Sequence, residues 1–229
     1  MNEPASGTPP AAAPGTVIVL TGPPGAGKST VARLLADSLP PSAHLHSDDF
    51  WRYIRQGRIA PYLPQANRQN QTVIDALAQA AFAYAAGGYQ VICDGIIGPW
   101  FIDVFRTAAT ARAIPLHYVI LRPDEATALR RAVSRDDHAL TDPEPIRSLH
   151  RQFTGIGAFE GHILDSTRLS SQATGQPRRL LRTPGGSEDA GCSLRLAQTD
   201  DRCPYLARET PPGGTESRQR QGRSPWPEC

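Results

Sequence analysis

Gly22-Pro23-Pro24-Gly25-Ala26-Gly27-Lys28-Ser29 sets three glycines, a lysine and a hydroxyl within eight residues, and Thr30 follows. The spacing matches GxxxxGKS/T in full. Glycines at these positions permit backbone angles and a close approach that a side chain would block. Successive N–H groups can then curl around an anion, and a helix opening near Lys28 points its positive end at that anion. Lys28 is expected to reach the β- and γ-phosphates of a nucleotide, and the Ser29 hydroxyl to ligate Mg²⁺. The segment Gly22, Pro23, Pro24, Gly25, Ala26, Gly27, Lys28, Ser29 and Thr30 is therefore the candidate phosphate site.

Carboxylates form the second group. Ser47-Asp48-Asp49-Phe50-Trp51-Arg52 follows a short apolar stretch, and Cys93-Asp94-Gly95 ends another. An acid at a strand end beside the phosphate loop can accept a proton from an acceptor hydroxyl or hold Mg²⁺. Asp48 is the better candidate base. The other reading makes Asp48 and Asp49 caps of the helix carrying Trp51 and Tyr53. Asp94 is either a metal-holding aspartate, with Ser29, or an acceptor-binding or turn-forming one. A third group is basic: Arg131 and Arg135 are four apart and share a helix face. The polar stretch Arg135–Leu140 after them reads as a lid whose arginines would close over the phosphates. A solvated helix face is the alternative. His46, Trp51, Tyr53 and Trp100 are candidate walls of an acceptor pocket, or else ordinary core.

The elements that must position these groups alternate. Thr16–Thr21, Ala43–Ser47, Tyr89–Cys93, Leu116–Leu121 and His162–Asp165 are short β-branched or apolar runs. Helical spacing occupies Lys28–Leu39, Asp48–Gln56, Arg68–Ala86, Phe101–Ala113, a helix opened by Pro123, and one from near Asp142. Strands and helices in alternation imply βαβ units and a parallel sheet with helices on both faces. The expected fold is α/β: a three-layer αβα P-loop NTPase with a five-stranded parallel sheet and a helical lid. Residues 1–15 read as a flexible segment, 16–174 as the folded domain with a closing helix beginning at Ser170, and 175–229 as a disordered tail. That tail is rich in Arg, Gly, Pro and Ser and is either functional or the product of an altered reading frame.

Bulk properties narrow the partners. A net charge of +2 gives no global argument for nucleic acid or a membrane surface. Of four cysteines, Cys93 reads as a buried thiol, while Cys192, Cys203 and Cys229 lack metal-ligand spacing. No segment reaches about 18 uninterrupted apolar residues, and the N-terminus has no leader pattern, so a cytoplasmic protein is expected.

The phosphate loop, the SDDF segment and the RxxxR segment together resemble the P-loop kinases of adenylate-kinase-like fold, among AAA-family ATP-binding proteins. Zeta-toxin, chloramphenicol phosphotransferase and the kinase domain of polynucleotide kinase are the similar families, over Val17 to Ala173. The resemblance implies ATP and Mg²⁺, an acceptor-activating aspartate at Asp48, and lid arginines at Arg131 and Arg135. Arg52 is out of register with the arginine that polynucleotide kinase places after its aspartates. The implied activity is transfer of the γ-phosphoryl of ATP to a hydroxyl of a small molecule. A 5′-hydroxyl of nucleic acid, a nucleotide-sugar acceptor, and a non-catalytic ATP-binding switch are the alternatives. A multimeric AAA-type motor is disfavoured because the chain lacks room for a separate lid domain.

Overall fold

The computed structural model describes residues 13–134 and 141–168. Most of the N-terminal segment, Arg135 with the lid stretch to Leu140, the closing helix, the tail and its three cysteines lie outside the described residues.

A five-stranded parallel sheet runs in the order β2-β3-β1-β4-β5. The strands are β1 (Val17–Thr21), β2 (Ser42–His46), β3 (Gln90–Asp94), β4 (Leu116–Leu121) and β5 (Ile163–Leu164). The helices are α1 (Lys28–Asp37), α2 (Ser47–Arg52), α3 (Asn67–Ala86), α4 (Ile102–Arg112), α5 (Glu125–Val133) and α6 (Pro143–Arg151). The expected α/β fold with a parallel sheet is present.

The two-residue alternation of a strand sorts the core into two layers. Val17, Val19, Val91, Cys93, Tyr118 and Ile120 face α3 and α4, where Ile74, Leu77, Phe82 and Phe105 are completely buried. Ile18, Leu20, Ile92, Val119 and Leu121 face α1 and meet Val31, Ala32 and Leu35. Burial on both faces explains why β1 reads VIVLT without polar interruption. Cys93 is sealed in this core, and burial pushes its thiol up, away from the reactive thiolate.

Several boundaries differ from the sequence expectation. Pro123 does not open α5. Asp124 is the N-cap instead, its carboxylate accepting from the Thr127 N–H at 2.7 Å, so the helix starts at Glu125. α6 does begin on Pro143, behind an Asp142 cap. α2 stops at Arg52 rather than Gln56, and β5 shrinks to two residues. No helix among the described residues is long and apolar enough to cross a membrane.

Candidate active site

β1 leaves the sheet at Thr21 and turns through Gly22 to Gly27 into α1. Gly22, Gly25 and Gly27 have φ of 141°, 76° and 89°, the region that favours glycine. Their missing side chains serve different ends. A Cβ at Gly22 would run into the Leu121 carbonyl at the end of β4. One at Gly25 would sit 2.9 Å from the carbonyl carbon of Ala128 in α5, and closer still to its oxygen. The loop is thus wedged between β4 and α5. A Cβ at Gly27 meets nothing within 4 Å, so that position opens onto free space. Lys28 reaches across the loop, its Nζ donating to the Pro23 carbonyl at 2.9 Å.

Strand order brings the carboxylates to this loop. β3 lies next to β1, with Asp94 paired to Leu20, and the Ile97 N–H donates to Thr21 Oγ1 at 2.9 Å. Ser29, in the first turn of α1, donates its hydroxyl to Asp94 Oδ2 at 2.6 Å. β2 pairs with β3 so that His46 stands opposite Asp94. His44 Nε2 and His46 Nδ1 both approach Asp94 Oδ1, at 2.7 and 3.0 Å. The Asp94 side chain is fully buried. Burial alone would raise its carboxyl, but hydrogen bonds from His44, His46 and Ser29 outweigh it and hold the group well below the usual carboxylate range. For His46, the hydrogen bond to Asp94 raises the imidazole against the opposing effect of burial, and the charges of Asp94, Asp48 and Asp49 add to the rise.

Asp48 follows at the start of α2, with Oδ2 3.6 Å from His46 Nε2 and 63% of its side chain exposed. Asp49 is drawn instead onto Arg52 at 2.9 Å. The N-cap of α2 is His46, with no side-chain capping bond, so neither aspartate is the cap. Ser47 is buried against the turn after β3: a Cβ on Gly95 would lie 2.6 Å from Ser47 Cβ and overlap its Oγ.

Other sequence candidates sit elsewhere. Trp51 is core, 7% exposed, and donates from Nε1 to Asn70 Oδ1 at 2.9 Å. Trp100 packs its ring against Phe153 at 5.7 Å. Tyr53 is exposed and helps line a cleft of about 600 Å³ between α2 and α3, together with Phe50, Ile54, Arg68 and Val73. The phosphate-loop residues, Asp48 and Asp94 do not line that cleft. Arg131 donates through both terminal nitrogens to the carbonyls of Ser166 at 3.0 Å and Thr167 at 2.8 Å, tying α5 to the segment after β5. Arg135 is outside the described residues.

Nothing in the sequence alone singles out His44, and for His46 it suggests a pocket wall or ordinary core rather than a partner of Asp94. The signal was the HLH spacing of β2, which puts both rings on one face, but it acquires meaning only once β2 is known to lie against β3.

The donor set suits a magnesium nucleotide. Ser29 and Asp94 present adjacent hard oxygens, as Mg²⁺ prefers, beside a loop of three glycines at positive φ.

Comparison with known proteins bears on the fold and the family. No curated protein matches the sequence. The tunicamycin resistance protein of Deinococcus radiodurans is similar in structure at 20% identity and TM-score 0.51, with 72% of this chain and 93% of that one covered. The protein APE1195 aligns at 20% identity and TM-score 0.50, covering 72% and 92%. A chain of the Pnkp1/Rnl/Hen1 RNA repair complex aligns at 17% identity and TM-score 0.50, covering 64% and 46%. These likenesses, at 20% identity or less, are of fold. The family profile described as AAA domain matches residues 17–155, more than half of the chain, and the protein belongs to that family.

Proposed function

We propose that the protein is an ATP-dependent phosphotransferase that moves the γ-phosphoryl group to a hydroxyl of a small molecule. The observation that carries this reading is the 2.6 Å contact between Ser29 Oγ and Asp94 Oδ2, in the first turn of the helix that follows the glycine loop. A hydroxyl beside a buried carboxylate supports reading them as the pair that holds a triphosphate-bound cation. The residues Gly22 to Thr30 bind the phosphates through backbone N–H groups, and Lys28 contributes its positive charge. Mg²⁺, held by Ser29 and Asp94, would neutralise charge on the phosphate oxygens when bound.

Asp48 is the proposed base. It is exposed, free of the Arg52 pairing that occupies Asp49, and stands at the carboxyl end of β2, where ligands of such sheets collect. In the step itself, the acceptor oxygen forms a bond to the γ-phosphorus as the bond from that phosphorus to the β–γ bridging oxygen breaks. Asp48 takes the acceptor's proton, and ADP leaves. Arg131, with Arg135, is proposed to stabilise the charge that develops. In the described state Arg131 is held on the Ser166 and Thr167 carbonyls.

An acceptor-library screen with γ-labelled ATP tests the reading. Label should move to a hydroxyl compound, and Asp48→Asn should abolish transfer while ATP still binds. Near-normal transfer by Asp48→Asn rejects the base assignment. Absence of Mg·ATP binding by the purified wild-type chain rejects the whole reading.

A further inference from the structure

Asp94 is fixed by more than the phosphate loop. His44 and His46 are two residues apart on β2, so both rings project from the same face of the strand. They converge on one atom, Asp94 Oδ1, at 2.7 and 3.0 Å, while Ser29 Oγ takes the other oxygen. An ionised carboxylate only accepts hydrogen bonds, so His44 presents Nε2–H and His46 presents Nδ1–H. The described residues hold no group of three His, Cys, Asp or Glu side chains suited to a metal ion.

The terminal torsion of an aspartate is broad and nearly two-fold. With Ser29 as its only partner, the carboxylate could turn, exchanging its oxygens or tilting away from the loop. Two N–H donors on Oδ1 remove that freedom and satisfy a buried acceptor that would be costly to leave bare. We propose that His44 and His46 are positioning residues, which clamp Asp94 Oδ1 so that Oδ2 stays turned to Ser29 and the phosphate loop, and that the Mg²⁺ affinity of the nucleotide site depends on this clamp. The inference rests on the reading of Ser29 and Asp94 as the magnesium-holding pair. Loss of such an outer partner lowers metal affinity by about 10- to 100-fold in comparable sites.

The test is a Mg²⁺ titration of the binding of a fluorescent ATP analogue, methylanthraniloyl-ATP, by the full chain. The variants are His44→Ala, His44→Gln, His46→Ala and His46→Asn. A glutamine amide places an N–H near the position of Nε2–H, and an asparagine amide near that of Nδ1–H. The alanine forms should raise the Mg²⁺ half-saturation by about 10-fold or more, and the amide forms should bring it back toward the wild-type value. An unchanged midpoint in the alanine forms overturns the inference. So does a rise that neither amide recovers, because it assigns the rings a packing role only. Where an alanine form does not fold, the amide form decides alone: a midpoint close to wild type supports the clamp, and a ten-fold shift overturns it. A wild-type chain that binds the analogue with no dependence on Mg²⁺ fails at an earlier stage, overturning the magnesium-pair reading and the clamp together.

Discussion

Adding one methyl group at Gly25 or at Gly27 should damage this protein in two different ways. Both glycines have positive φ, 76° and 89°, where an L-residue costs about 1–2 kcal/mol. At Gly27 that is the whole cost to the free protein, since the new carbon meets nothing within 4 Å. At Gly25 the new carbon would stand 2.9 Å from the Ala128 carbonyl carbon. Ordinary carbon contacts need about 3.5 Å or more, and the Ala128 oxygen stands closer still, so the loop and α5 must part by about 1 Å or more. Overpacking of this kind costs about 1–3 kcal/mol further. For a domain of this size, about 2–4 °C of Tm accompanies each kcal/mol. Gly25→Ala should therefore melt about 10 °C below wild type, and Gly27→Ala about 5 °C below.

Nucleotide affinity should rank the other way relative to that damage. On the proposed reading the phosphates lie in the open space at Gly27, and a methyl there displaces them from one or two amide donors, each charge-assisted bond being worth about 1.5–3 kcal/mol. That corresponds to a loss of about 100-fold in affinity for Gly27→Ala. Thermal melts of the free variants, paired with fluorescent-nucleotide titrations, measure both quantities. If Gly27→Ala melts a few degrees low yet binds ATP within about threefold of wild type, that space is not where the phosphates lie, and the reasoning is refuted.

Three other outcomes are expected. Asn70 is buried and bridges Trp51 Nε1 to the Pro61 carbonyl, so Asn70→Ala strands two polar partners and should cost about 2–4 kcal/mol in urea unfolding. Ala113 ends α4 with φ 51°, and Ala113→Gly should raise Tm by a few degrees by relieving about 1 kcal/mol of left-handed strain. Asp124 is held below the ordinary aspartate range by the Thr127 backbone N–H and then by its hydroxyl. A depressed carboxyl lends stability above its unfolded value and loses it as pH falls through the folded value. The Tm gap between wild type and Asp124→Ala should thus hold steady from pH 5 to pH 8 and narrow below 3.8.

Local signals carried most of the fold. The run VIVLT and the loop after it announce a buried strand and a tight anion-binding turn, and LHYVIL matches β4 residue for residue. Gly87-Gly88 marks the end of α3 correctly. What the chain does not write locally is strand order. The neighbours of β1 are β3 and β4, not β2, and only this arrangement sets Asp94 against Ser29 and sets β2 with its histidines against Asp94. For the same reason the sequence leaves Trp51 open between pocket wall and core; Asn70, nineteen residues on, accepts from its Nε1 and decides for the core. Pro123 misled for a nearer reason: the Asp124 side chain competes for the helix start and captures the Thr127 N–H.

The contact between Gly95 and Ser47 limits what can be altered around Asp48. With a hydrogen atom as the only substituent that fits at residue 95, the corner between β3 and α2 acts as a hard stop, and any bulkier residue there pushes the two proposed acids apart. For the proposed phosphotransfer, enlarging that corner gains no room for a different acceptor. Room for variation lies at the other end of α2, where Tyr53 is 70% exposed and its neighbours already border an open cleft.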